Sequence, residues 1–326
     1  MNTFFLRGLI KNIQVTTWVL WRFFIWLGIV TLIFGLIGQW VRDIYLIFSF
    51  FSYIPLLPIA LLFLLLDILW RGRLFSRLRF VVSFIAIVAI FTHLHYLKGW
   101  ENFQAVEKQP QSIILIHWNV LWGTWQHWEA IAQRIQTENP DIIVISEPPS
   151  IWDLGQLKKQ LGNNKQEWYL LSRWPLVILS KYPIDVKEKI LFTNGIGVLV
   201  ELTIADKIMR LLMIDGKRDL WQSRDYLLGD IYRYLLENQP IHLIVGDFNA
   251  LGNSRGFDAW STLNYQLAAR TAGQWRGTWP SGFPLYDIDH VWLHEELQLE
   301  QLHFLYHPAT DHRGQSVQFS WEKRDF

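Results

Sequence analysis

Three uncharged stretches crowd the first third of the chain: Phe23 to Gln39, Ile44 to Leu66 and Phe80 to Leu97. Each is long enough to cross about 30 Å of hydrocarbon. A core helix of a soluble domain keeps a polar face, whereas these runs are apolar on every side and the breaks between them are short and charged. The expectation is three transmembrane helices. Pro55 and Pro58 fall inside the second run and predict a kink there, which a membrane bundle tolerates because neighbouring helices satisfy the freed backbone groups. The first run is too long, and too soon followed by two more, to be only a cleaved signal, although a signal-anchor role is compatible with it.

The cations orient these spans. Arg7, Lys11 and Arg22 precede the first, and Arg71, Arg73, Arg77 and Arg79 fill the loop between the second and third, against Arg42, Lys98 and Lys108 on the other side. Positive residues stay cytoplasmic, so the amino terminus is expected inside and everything after Leu97 on the periplasmic, lumenal or extracellular side. Trp18, Trp21, Trp40, Trp70 and Trp100 flank the spans, where indoles favour the interface. The chain has no cysteine, so the outer part uses neither a disulfide nor a thiolate metal site. A net charge of +1 lacks the basic excess of a protein that grips long nucleic acids.

Residues 1–98 therefore read as a membrane anchor, 99–112 as a polar linker, and 113–326 as one domain large enough to bury a two-layer core. Within it, strands are expected at Ile113 to Trp118, Ile142 to Ile145, Trp168 to Leu171, Val177 to Ser180, Val198 to Ile204, Ile208 to Ile214 and Ile241 to Val245. Three more are expected near His290 to Leu293, Leu299 to Tyr306 and Val317 to Trp321, with helices at Trp125 to Thr137 and Gln222 to Glu237. Many strands with few helices predict an α/β sandwich, two packed sheets with helices outside.

Polar clusters sit at the ends of several apolar runs: His117-Trp118-Asn119, Ser146-Glu147, Gly246-Asp247-Phe248-Asn249, Ile288-Asp289-His290 and Thr310-Asp311-His312. Strand tips of one sheet end converge, so this set places carboxylates, amides and an imidazole together. Such groups suit a hard divalent cation and a phosphate ester. Glu147 is the foremost candidate metal ligand. Asp247 and Asn249 project from one turn, so the carboxylate can orient or deprotonate a water while the amide donates to a phosphate oxygen.

In this order, with Ser172-Arg173-Trp174-Pro175 between the second and third, these clusters resemble the endonuclease/exonuclease/phosphatase superfamily from about Ile113 onward. The resemblance implies a four-layer α/β sandwich and Mg2+-dependent cleavage of phosphate mono- or diesters, with Mn2+ as the alternative metal. It implies Asp311 and Asn119 as further metal ligands, Asn119 also facing substrate, and Asp289 as the group that fixes the tautomer of His312 and favours its imidazolium, with either Asp247 or His312 taking the proton from water. The preceding spans look like those of the membrane-bound bacterial members. One position departs from the pattern: where the superfamily carries His or Tyr, this chain has Asp215-Gly216-Lys217-Arg218. An ionised Asp215 only accepts hydrogen bonds and repels phosphate, so Lys217 or Arg218 is expected to supply the cation for the substrate.

Ser172-Arg173-Trp174-Pro175 reads as structural. His117 and His290 each lie one residue from a candidate functional group and are expected on the opposite strand face, while His93 and His95 read as interfacial. Three functions stay open. The first is an anchored phosphoesterase acting on a lipid phosphate or other ester at the bilayer, where tethering raises effective concentration. An anchored nuclease for external DNA or RNA is the second, and a catalytically inactive scaffold or sensor the third.

Overall fold

The computed structural model describes residues 3–69, 76–98, 109, 111–123, 127–162, 166–238 and 240–322. Its chain divides into two compact units, Met1–Leu94 and His95–Phe326. Most of the expected linker, together with Arg71, Arg73, Lys108 and Trp125, lies outside the described residues.

The first unit holds α1 (Thr3–Val41), α2 (Leu46–Ser52), α3 (Leu56–Leu69) and most of α4 (Ser76–Leu97). Among the described residues, two helices are long and apolar enough on their own to cross a membrane, through Arg22–Val41 and Phe80–Leu97. The second expected span is not one helix. It is broken into α2 and α3, which bend by 53° at a break that contains Pro55, so three crossings exist only if this bent pair counts as one. Proline lacks the N–H that would carry the helix ladder through that point. Pro58 causes no second break, because it sits in the first turn of α3, where the backbone N–H has no intrahelical partner. Close approach holds the unit together: a side chain at Gly28 would overlap the Phe63 ring, and one at Gly38 the backbone of Phe51 and Ser52. Ser52 Oγ donates to the Gly38 carbonyl at 2.9 Å across that contact. Small residues at such contacts let apolar helices pack without a water-driven force.

The second unit begins its regular structure with β1 (Ile113–Asn119), α5 (Trp128–Thr137), β2 (Ile142–Ser146), α6 (Ile151–Leu161), β3 (Tyr169–Arg173) and β4 (Leu176–Ser180). The chain then forms β5 (Ile184–Phe192), β6 (Gly195–Ile204), β7 (Lys207–Gly216), α7 (Arg224–Glu237) and β8 (Leu243–Asp247). It closes with β9 (Tyr265–Leu267), α8 (Ala268–Thr271), β10 (Asp289–His294), β11 (Leu297–Leu305) and β12 (Gly314–Trp321). One six-stranded sheet runs β11-β12-β1-β2-β4-β3 and the other β5-β6-β7-β8-β10-β9. Both are mixed: β1 with β2 and β7 with β8 pair parallel, and the other pairs are antiparallel.

Alternation along the strands decides which side chains meet. Leu115, Val144 and Ile178 of one sheet bury against Val200, Leu211 and Val245 of the other. The opposite faces pack outward, Ile116, Trp118, Ile143 and Ile145 under α5 and α6, Leu212, Ile214 and Ile244 under α7. The result is the four-layer sandwich, with β1, β2, β7 and β8 all delivering their carboxyl ends to one edge.

Candidate active site

On β1, Asn119 has the parity of Ile113 and Leu115, so it faces the opposing sheet rather than the helices. On β8, Asp247 has the parity of Leu243 and Val245 and faces back. The two meet across the sandwich, Asn119 Nδ2 donating to Asp247 Oδ2 at 3.0 Å. Asn119 Oδ1 is occupied as well, accepting from the Leu121 N–H at 3.0 Å. The amide expected to help hold a metal thus spends both ends on positioning Asp247 and the turn after β1. Asn249, expected to donate to a phosphate, donates through Nδ2 to the Gly216 carbonyl at 2.8 Å, and its N–H donates to Asp247 Oδ1 at 2.9 Å.

Three adjacent strands place aspartates side by side. Asp247 is the register partner of Asp215 on β7 and of Asp289 on β10. Neighbouring carboxylates in a dry place resist ionising together. Burial, reinforced by Asp289, raises the Asp247 carboxyl to about 7, against the pull of His312 and the bonds from Asn249 and Asn119. Burial and then Asp247 and Glu147 raise Asp215 to about 7 as well. Burial would raise Asp289 too, but the His312 imidazolium outweighs it and holds that carboxyl below its ordinary range.

His312 Nδ1 lies 2.8 Å from Asp289 Oδ2, with both side chains almost wholly buried. Burial alone would lower the imidazole; Asp289, with Asp247 and Asp311 behind it, lifts it to about 9. The loop carrying it is tied to β1 twice. The Trp118 indole N–H donates to the His312 carbonyl at 3.0 Å, and Thr310 Oγ1 donates to the Asn119 carbonyl at 2.8 Å.

Glu147 follows β2 in a left-handed conformation (φ 48°). Its Oε1 pairs with the Arg218 guanidinium, and its buried Oε2 has no hydrogen-bond partner among the described residues. Burial would lower Arg218, but Glu147, Asp247 and Asp311 hold it above its ordinary value, so this cation faces all three carboxylates. Lys217 is exposed; its backbone, not its ammonium, is engaged, with Asn194 and Arg224. Asp311 accepts from the Trp279 indole N–H through Oδ2 at 3.0 Å, while its Oδ1 lacks a hydrogen-bond partner among the described residues and sits 3.9 Å from His312 Nε2.

One ligand atom from each of Asp247, Asp289 and His312 lies within 4.8 Å of the others. Spacing alone allows a metal there, but His312 is committed to Asp289 and an imidazolium has no lone pair to offer. Glu147 Oε2 and Asp311 Oδ1 are oxygen donors without hydrogen-bond partners among the described residues, so they fit a hard divalent cation better.

His117 corrects an expectation. It lies two residues from Asn119 and shares that face, with Nε2 3.1 Å from Ser146 Oγ beneath the site. Burial lowers it to about 4, against the pull of Asp289, so it is neutral. His290 does face the other way, against Phe248 and Phe257, with Nε2 2.8 Å from the Ala250 carbonyl. Sequence reasoning missed Trp279 and Thr278; the Thr278 hydroxyl accepts from the N–H groups of Ile288 and Asp289 and so braces the dyad. Their only signal was the Thr278-Trp279-Pro280 turn, which has no distinctive composition.

Similarity to known proteins agrees with this geometry. An Endonuclease/Exonuclease/phosphatase family profile matches residues 116–312. Among solved structures, a family protein from Bacteroides thetaiotaomicron superposes with TM-score 0.53 at 15% identity, covering 66% of this chain and 100% of that one. The human Nocturnin catalytic domain gives 0.51 at 18% identity, covering 67% and 96%. A D. rerio TDP2 humanised by 14 mutations gives 0.50 at 13% identity, covering 64% and 99%. At these identities the likeness concerns the fold. No curated protein matches the sequence. With the profile spanning well over half of the chain, from inside β1 to His312 itself, the chain belongs to the endonuclease/exonuclease/phosphatase family.

Proposed function

We propose that this chain is a membrane-anchored phosphoesterase that hydrolyses a phosphate mono- or diester, with Mg2+ as cofactor and Mn2+ as the alternative, outside the cytoplasm and on a lipid phosphate. The observation that carries the reading is the meeting of Asp247 with the Asp289–His312 dyad at one edge of the sandwich, where Arg218 and Glu147 also converge. Glu147 and Asp311 would hold the metal. Bound there, it would supply a Lewis acid for a phosphoryl oxygen and offset charge on the leaving group.

The chain's own groups divide the remaining work. Asp247, raised to about 7, takes the proton of an attacking water near neutral pH, held in place by Asn119 and the Asn249 N–H. His312 stays an imidazolium to about 9, so it serves as a donor to a phosphoryl oxygen rather than as the base. Arg218 adds a second cation on the side of Glu147.

The test is an assay of the full-length purified chain with Mg2+ against a vesicle-borne lipid phosphate, a soluble phosphodiester and single-stranded DNA. Turnover of the lipid ester, lost on chelation and in Glu147→Gln, is the expected result. Preference for DNA would turn the reading to the nuclease, and absence of both turnover and metal binding to the scaffold.

A further inference from the structure

The edge that carries the site also carries exposed aromatic side chains. Trp122 and Trp174 stack with ring centroids 4.5 Å apart and are 41% and 59% exposed. Both are attached to the Glu147 turn: the Trp122 N–H donates to the Glu147 carbonyl at 2.8 Å, and the Glu147 N–H donates to the carbonyl of Pro175, next to Trp174. On the other flank, Trp279 reaches Asp311, and Phe283, four residues on, is 52% exposed. Trp221, three residues beyond Arg218, is 76% exposed. Large apolar rings beside a charged site cost free energy in water and mark a surface meant to be covered.

Two features identify the cover. Indole combines a broad apolar face with one polar N–H, the combination that favours the head-group layer of a bilayer. The compact unit that carries the site also begins at His95, inside the apolar window that ends at Leu97, so its own first residues belong to a stretch suited to a bilayer. A polynucleotide stacking on these rings needs cations to track its phosphates. The net charge is only +1, so the chain as a whole lacks the basic excess that such tracking requires.

We propose that the aromatic rim flanking Glu147 and Asp311 docks on the head-group surface of the bilayer that holds the apolar helices, and so presents a lipid-borne phosphate ester to the site. This rests on the phosphoesterase reading for its substrate, but the docking itself can be read without turnover.

The chain has no cysteine, so single labels are clean. The full-length protein is reconstituted in phosphatidylcholine vesicles with an environment-sensitive fluorophore on Arg173→Cys, Gly282→Cys or, at the far end of β7, Asp206→Cys. Lipids carrying a nitroxide quencher in the upper acyl chain should quench the first two labels about threefold or more over the third, since a docked face enters the head-group and acyl boundary. Equal quenching at all three, or none at 173 and 282, overturns the proposal. In parallel, Trp174→Ser combined with Phe283→Ser should lower hydrolysis of the vesicle-borne ester about tenfold, the effect of losing apolar anchors of this size, and leave a soluble ester within about twofold. Loss confined to single-stranded DNA overturns it in favour of base stacking, and equal loss on both esters makes the rim part of the pocket instead. A chain inactive on every ester removes the hydrolase reading while the quenching contrast still decides the docking.

Discussion

At the scale of single residues, Asp247 sets a conflict between stability and chemistry. Its carboxyl is raised from 3.8 to about 7, so the folded state binds this proton more tightly than the unfolded state. Its contribution is therefore fully present below about pH 3.8 and is lost as pH rises through about 7. Asp247→Asn removes the buried charge and should stabilise the metal-free protein at pH 8 by on the order of 1–3 kcal/mol, seen in the denaturation midpoint, while abolishing hydrolysis. His312 has the same sign: raised from 6.5 to about 9, its stabilisation holds below 6.5 and disappears as pH climbs through 9. Asp289→Asn should flatten that part of the stability profile. The double variant Lys217→Ala with Arg218→Ala should lower kcat/KM about tenfold through loss of a charge-assisted contact. Unchanged kinetics would limit Arg218 to neutralising Glu147.

At the scale of elements, the site depends on how closely β7 and β8 lie. Gly246 stands opposite Ile214, and a Cβ there would fall 1.9 Å from the Ile214 carbonyl oxygen. Gly246→Ala should therefore cost about 2–4 kcal/mol and displace Asp247, visible as a lowered melting temperature together with lost turnover. Buried strands were legible because their apolar runs are unbroken, as in Ile142–Ser146 and Leu243–Asp247. The edge strand β5 was not, since Lys187, Glu188 and Lys189 interrupt its pattern and its side chains are mostly in contact with water. Helix α6 was also missed, although Ser150 caps it by accepting from the Asp153 N–H at 3.2 Å, a spacing present in the sequence.

At the scale of the whole molecule, the cations that flank the apolar helices predict on which side of a membrane the second unit would lie. Asp206→Cys, in an exposed turn, should react with an impermeant maleimide on intact cells. Labelling only after lysis would invert the orientation drawn from the flanking cations. The sequence by itself determined that apolar helices precede an α/β domain and which polar residues end its strands. Those properties follow from local composition and from the two-residue period of a strand. Only the tertiary structure decided that the kink expected in the middle apolar run is a full break at Pro55 and not at Pro58, that His117 lies beneath the site, and that Asn119 serves Asp247. It also set Asp215, Asp247 and Asp289 in one row, because strand order and register join residues that no local pattern relates, and proximity in a dry interior is what changes their charge.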